Sequence, residues 1–121
     1  MNINTSEIIN RIPPLLETIE EGIDASITML ENLKLEESVS MLSDVYLGVQ
    51  AVQHAFEGIE EVPEKKIKSS SKNFKTFEKN IAEYYSVYNN EVQGQLDLIL
   101  MEKIIPDYKK WVKIIRGQIY S

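Results

Sequence analysis

Apolar side chains recur at steps of three and four through four successive stretches of this chain. That period fits one face of a helix, whereas a half-buried strand needs a period of two. The first stripe is Ile12, Leu16, Ile19, Ile23, Ile27, Leu30 and Leu33, and the second is Leu35, Val39, Leu42, Tyr46, Val49, Val52, Phe56 and Ile59. A third is largely aromatic: Phe74, Phe77, Ile81, Tyr84 and Tyr88. The fourth is broad, with Val92, Leu96, Ile99, Leu100, Ile104, Tyr108, Trp111, Val112, Ile115 and Ile119. Alternating runs and Asn-Gly or Asp-Gly hairpin turns are missing, so no strand is expected.

Breakers divide the stripes. Pro13 and Pro14 predict a short turn from about Thr5 and then a kink or restart, because proline inside a helix removes a hydrogen bond. The connection around Asn32–Leu35 is short, which makes the first two helices antiparallel neighbours. Pro63 stops the second helix by Val62. Glu64–Lys72, with Lys65, Lys66, Lys68 and the run Ser69–Ser71, then reads as the one obvious loop. Asn89–Asn90, with Gln93 three residues after Asn90, gives a break and an N-cap. The last helix runs from about Glu91 to Gly117, bent or split by Pro106 near Ile105.

Four amphipathic helices with two short connections and one longer one predict an all-α, antiparallel up-down four-helix bundle with Pro-kinked first and last helices. It is expected as a single domain: hairpin 5–62, loop 63–72, hairpin 73–119. With the first turn centred near Lys34, Gly22 lies level with Leu47 and Gly48, which predicts a tight crossing of helices one and two. The same small residues, Gly48, Ala51 and Ala55, alternatively form a flat strip for another subunit.

A length of 121 residues and 43% hydrophobic content fit one globular domain. Cysteine is absent, which excludes disulfides, thiolate metal sites and cysteine nucleophiles. Residues 1–20 carry Glu7, Glu17 and Glu20 against Arg11 and lack an unbroken apolar run, and no stretch approaches the length of a membrane span. A soluble cytoplasmic protein is expected, and the abundance of Ile, Lys, Glu and Asn points to an AT-rich bacterial genome.

Net charge is −6 and very unevenly spread. Residues 1–61 hold twelve acids against Arg11 and Lys34, a balance of −10, while residues 62–121 hold eleven basic residues against seven acids, a balance of +4. Such halves pair within the fold, pair across a dimer, or present two surfaces of opposite sign. Internal pairing is the simplest expectation.

Few residues suggest chemistry. His54, three residues before Glu57, is a candidate acid or base. A ferritin-like metal site needs Glu-x-x-His, but Ala51 stands three residues before His54. Glu17/Glu20 and Glu21/Asp24 echo the paired acids with which small all-α nucleotide pyrophosphatases hold magnesium. The second half of that pattern fails, because Met41, Gly94 and Ile104 stand three before Asp44, Asp97 and Asp107. A solvated helix face is the simpler account. Glycine-rich phosphate loops and a Gly-x-Ser-x-Gly turn are also missing. No cofactor or metal is expected.

Lys65, Lys66, Lys68, Lys72, Lys75 and Lys79 form a positive edge, and phosphate binding is one reading of it. The acidic total and the presence of only two arginines argue against nucleic acid. Glu57, Glu60 and Glu61 crowd the end of helix two, where acids oppose the macrodipole. They are either compensated by Lys65 and Lys66 or form a docking point for a cationic partner. Tyr84 and Tyr88 lie on the core stripe, Tyr85 falls off it toward solvent, and Tyr108 and Trp111 complete an aromatic group suited to core or interface.

The sequence therefore predicts a non-catalytic protein–protein interaction module of adaptor, chaperone-like or regulatory type. It would present an apolar face flanked by charge to a partner helix or to another copy. Tyr85, Tyr88, Trp111, Glu57, Glu60 and Glu61 are the expected contacts. The rival reading is a ligand-binding or hydrolytic bundle using His54 and Glu57 in an interhelical pocket.

Overall fold

The structure, a computed structural model, describes residues 5–90 and 94–120, with Thr5 as backbone only. The expected helix start at Glu91, the N-cap partner Gln93 and the apolar Val92 lie outside the described residues. Helix α1 runs Thr5–Glu31, α2 Leu35–Glu57 and α3 Glu64–Asn89. Helix α4 (Gly94–Ile99), a π-helical turn (Leu100–Ile104) and α5 (Ile105–Ile119) follow one another directly and make a fourth rod. All the described regular structure is helical.

The rods are antiparallel neighbours, as the pairing of side chains shows. Residue numbers rise along α2 as they fall along α3: Ser38 meets Tyr84, Tyr46 meets Glu78 and Gln53 meets Ser70. Glu83 with Lys103 and Asn80 with Asp107 set the same relation between α3 and the fourth rod. The stripes converge on one contiguous core that includes Leu16, Val49, Phe77, Leu100 and Trp111. Burying these side chains, at roughly 1.5–3 kcal/mol for each large one, is what holds rods of ordinary propensity together.

The first hairpin is held by reciprocal close packing. A Cβ on Gly22 would stand 2.8 Å from Val45 Cγ2, and one on Gly48 would stand 2.8 Å from Ile19 Cγ1. The tight crossing is there, but the glycines do not face each other. Each receives a branched side chain from the other helix, because the register is two to three residues away from the expected one.

The turn that sets this register closes α1 with a Schellman motif. Lys34 N–H donates to Met29 O at 2.8 Å and Leu33 N–H to Leu30 O at 3.0 Å. Leu33 occupies the left-handed position, at φ 59°, and is 78% exposed. It therefore leaves the core stripe to which its spacing assigned it.

Two expectations about breaks are corrected, and a third, at Pro106, falls where the fourth rod changes helix type. Residues 64–72 are the first turns of α3, not a loop: Pro63 is its N-cap, Lys66 and Ile67 N–H donate to Pro63 O, and Ser70 is buried. Proline just before a helix is tolerated because the first N–H groups lack partners anyway. Pro13 and Pro14 do not restart α1, which is helical straight through both. Buried Ile12 and Leu16 on either side tie that segment to the core. Pro106 sits at the start of α5, directly after the π-helical turn, in which Ile105 N–H reaches back five residues to Leu100 O. The chain meets this proline with a change of helical register.

Candidate interaction surface

Most buried polar side chains in this bundle are joined to other helices, whereas the Ser26 hydroxyl has no hydrogen-bond partner among the described residues. Trp111 Nε1–H donates to Gln53 Oε1 at 2.9 Å, Gln53 Nε2 donates to Ser70 Oγ at 3.2 Å, and Ser70 Oγ donates to Ile67 O at 3.0 Å. This chain ties α5, α2 and α3 together inside the core. A second one joins α1, α2 and α3 through Ser38, whose hydroxyl donates to Ser26 O at 3.3 Å and lies 2.9 Å from Tyr84 Oη. Both hydroxyls are satisfied when Tyr84 donates to Ser38. A third polar group bridges α1 and α5: Glu20 Oε2 accepts from Tyr108 Oη at 2.7 Å and from Arg116 at 2.6 Å.

Burial raises the Tyr108 hydroxyl far above its ordinary range, reinforced by the Glu20 carboxylate. Burial also raises Tyr84, and for Tyr46 the hydrogen bond to Glu78 is the main cause of an upward shift. All three therefore stay neutral donors over the physiological range.

These networks settle the position of several expected contacts. Trp111 is fully buried with its N–H satisfied. As a contact residue it is a correction: its phase within a broad stripe placed it in the core, with no surface left to offer a partner. Tyr85 is half-buried, not exposed, because Tyr46 and Phe74 pack along the same α2–α3 boundary. Its hydroxyl has no hydrogen-bond partner among the described residues. Tyr88 is half-buried as well.

Glu57, Glu60 and Glu61 are exposed around the end of α2. Neither Lys65 nor Lys66 pairs with Glu57 or Glu60, because Glu64–Lys72 is helix and carries the lysines along α3. Lys68 bonds within α3, to Glu64 at 3.7 Å. Glu57 instead faces a shallow groove along with Lys68, Lys72 and Lys75.

His54 is exposed in the last turn of α2 and does not line that groove. Of the paired acids, Glu20 is engaged by Tyr108 and Arg116, while Glu17, Glu21 and Asp24 are exposed. Among the described residues no three His, Asp or Glu side chains stand together as a metal cage.

The apolar side chains left outside were not singled out by the sequence. Leu98 and Met101 are 54% and 50% exposed, three residues apart on the outward face of the fourth rod. Leu47, 56% exposed, points out from α2 with Ala51 one turn on. The signal available was phase: each falls opposite the buried stripe of its own helix.

The fold and these surfaces define a class, a small all-helical bundle in which most buried polar groups join helices. The chain belongs to the family described as Domain of unknown function (DUF8042), whose profile matches residues 7–114 and so takes in all four rods. No curated protein and no solved structure matches it. Among the described residues no helix is long and apolar enough to cross a membrane.

Proposed function

We propose that this protein is a non-catalytic protein-interaction module, a single-domain cytoplasmic bundle of bacterial origin that docks a helix of a partner protein. The observation that carries the reading is the Leu98–Met101 pair. Two large apolar side chains half open to water on adjacent turns, flanked by Asp97, Glu102 and Lys103, form a narrow apolar stripe with charged margins. Isolated surface leucines need no explanation, whereas neighbouring ones at helical spacing suit the apolar face of a second helix. The placement of the buried polar groups supports the same reading, since Gln53, Ser70, Ser38, Tyr84 and Trp111 are occupied with joining helices.

The test is a photo-crosslinking amino acid placed at position 98 in the native host, with exposed position 10 on α1 as control. One discrete protein crosslinked from position 98, and lost on Met101→Lys in a chain of unchanged melting temperature, supports the module. A metabolite that raises the melting temperature, an effect abolished by His54→Ala, together with no crosslink, overturns it in favour of a ligand-binding bundle.

A further inference from the structure

The two charge blocks of the sequence survive folding as two opposed faces. Helices α1 and α2 form one layer, and α3 with the fourth rod forms the other. On the outside of the second layer lie Lys72, Lys75 and Lys79 of α3, at helical spacing, with Lys110 and Lys113 of α5, all exposed. On the outside of the first lie Glu21 of α1 with Glu37 and Asp44 of α2, also exposed. The Gly22–Val45 contact brings Glu21 and Asp44 to nearly the same level of the hairpin. None of these eight side chains has an oppositely charged partner among the described residues. Glu20 and Arg116 do join the two halves, at 2.6 Å, but along the α1–α5 edge, which leaves both faces as they are.

We propose that the lysine face of α3 and α5 docks on the acidic face of α1 and α2 of a second copy of this chain. The proposal rests on reading the chain as an interaction module and gives it a second contact surface, apart from Leu98 and Met101, whose partner is another copy. Three observations favour a second copy over other anions. The lysine face carries neither of the two arginines, since Arg11 is on α1 and Arg116 is held by Glu20, and arginine is the usual reader of phosphates and bases. Most of its nearby aromatics are withdrawn from base stacking: Phe77 and Trp111 are fully buried and Phe74 is stacked on Tyr46, while Tyr120 is exposed only past the end of α5. The acidic face adds exposed Leu47 with Ala51 beside Asp44, giving a second copy an apolar contact within the charged one.

Because the two faces differ, the contact is head-to-tail and extends into chains or closes into a ring. Exposed charge pairs are individually weak and are screened over about 8 Å at physiological salt, so the association is modest and salt-sensitive.

Sedimentation velocity of the purified full chain, over a wide concentration range in low and in physiological salt, tests this. The expected result is an average sedimentation coefficient that climbs with concentration in low salt, with association about tenfold weaker in physiological salt. A variant with Lys72→Glu, Lys75→Glu and Lys79→Glu has two acidic faces. A variant with Glu21→Lys, Glu37→Lys and Asp44→Lys has two basic ones. Each is expected to be monomeric alone, with the helical circular dichroism of the parent, and the two are expected to associate when mixed. A parent that stays monomeric in low salt overturns the proposal, as does association that persists in both variants alone or fails in their mixture. So does a parent that binds duplex DNA or anionic vesicles in low salt in preference to itself. None of these results changes crosslinking from position 98, which decides the interaction module separately.

Discussion

Gln53 stands between Trp111 and Ser70, accepting from the indole of α5 at 2.9 Å and donating to the hydroxyl of α3 at 3.2 Å. One amide thereby satisfies polar groups on two other helices in a core that is otherwise apolar. Gln53→Leu keeps the volume and strands both partners. Leaving buried polar groups unpaired costs roughly 1–3 kcal/mol. Urea unfolding followed by Trp111 fluorescence checks this, and an unchanged midpoint would show that the amide does no more than fill space.

Glycines at two kinds of position predict opposite signs. Gly22→Ala and Gly48→Ala each place a methyl 2.8 Å from a branched side chain. Forcing such a contact costs about 1–3 kcal/mol, more than the ~1 kcal/mol that alanine gains over glycine inside a helix. Gly117 lies in α5 with open space around it, so Gly117→Ala is expected to stabilise by about 0.5–1 kcal/mol. Thermal melts of the three variants give the comparison, and adding Val45→Ala to Gly22→Ala should recover part of the loss.

Leu33 is strained at a position where glycine is usual. An L-residue in the left-handed region costs roughly 1–2 kcal/mol, and this side chain is 78% exposed, with little packing to offset the strain. Leu33→Gly is therefore expected to stabilise by about 1 kcal/mol, reduced somewhat by the greater freedom of glycine in the unfolded chain. Chemical denaturation at constant slope measures it. A loss of stability would mean that Leu33 packs in a way its exposure does not reveal.

The bundle was legible from the sequence because each stripe carries enough apolar residues to demand a burial partner, and short connections fix neighbours. What misled were the breakers. Prolines at 13 and 14 read as a kink or a restart, and there is no restart, since burial of Ile12, Leu16 and Ile19 keeps α1 helical through them. Lysines and serines at 65–71 read as a loop because their one buried member, Ser70, is polar and breaks no visible stripe. The better signal in the fourth rod was spacing. Leu96, Leu100, Ile104, Tyr108 and Val112 recur in steps of four, and at 3.6 residues per turn each step drifts about 40° from its face. A wide turn at 100–104 takes up part of that drift. The surface was less legible, since stripes report burial and say little about which exposed side chains stand together.

Three tyrosines tie the fold to neutral and mildly alkaline conditions. Tyr46, Tyr84 and Tyr108 are all raised above the ordinary value of 10.0, Tyr84 and Tyr108 chiefly by burial and Tyr46 chiefly by its bond to Glu78. In the unfolded chain each loses its proton near its ordinary value, while in the fold it holds the proton to higher pH. Between those limits the unfolded state binds fewer protons, so stability falls as pH rises. The contribution of these groups is whole below pH 10 and lost progressively above it. Tyr108 matters most, because its ionised oxygen would face the Glu20 carboxylate at 2.7 Å. Tyr108→Phe is expected to cost roughly 1 kcal/mol at neutral pH through the lost hydrogen bond, and to flatten the alkaline decline. Urea midpoints for parent and variant from pH 7 to above pH 10, with tyrosinate absorbance followed alongside, give both slopes. Equal slopes would show that the Tyr108 hydroxyl ionises as readily in the fold as out of it.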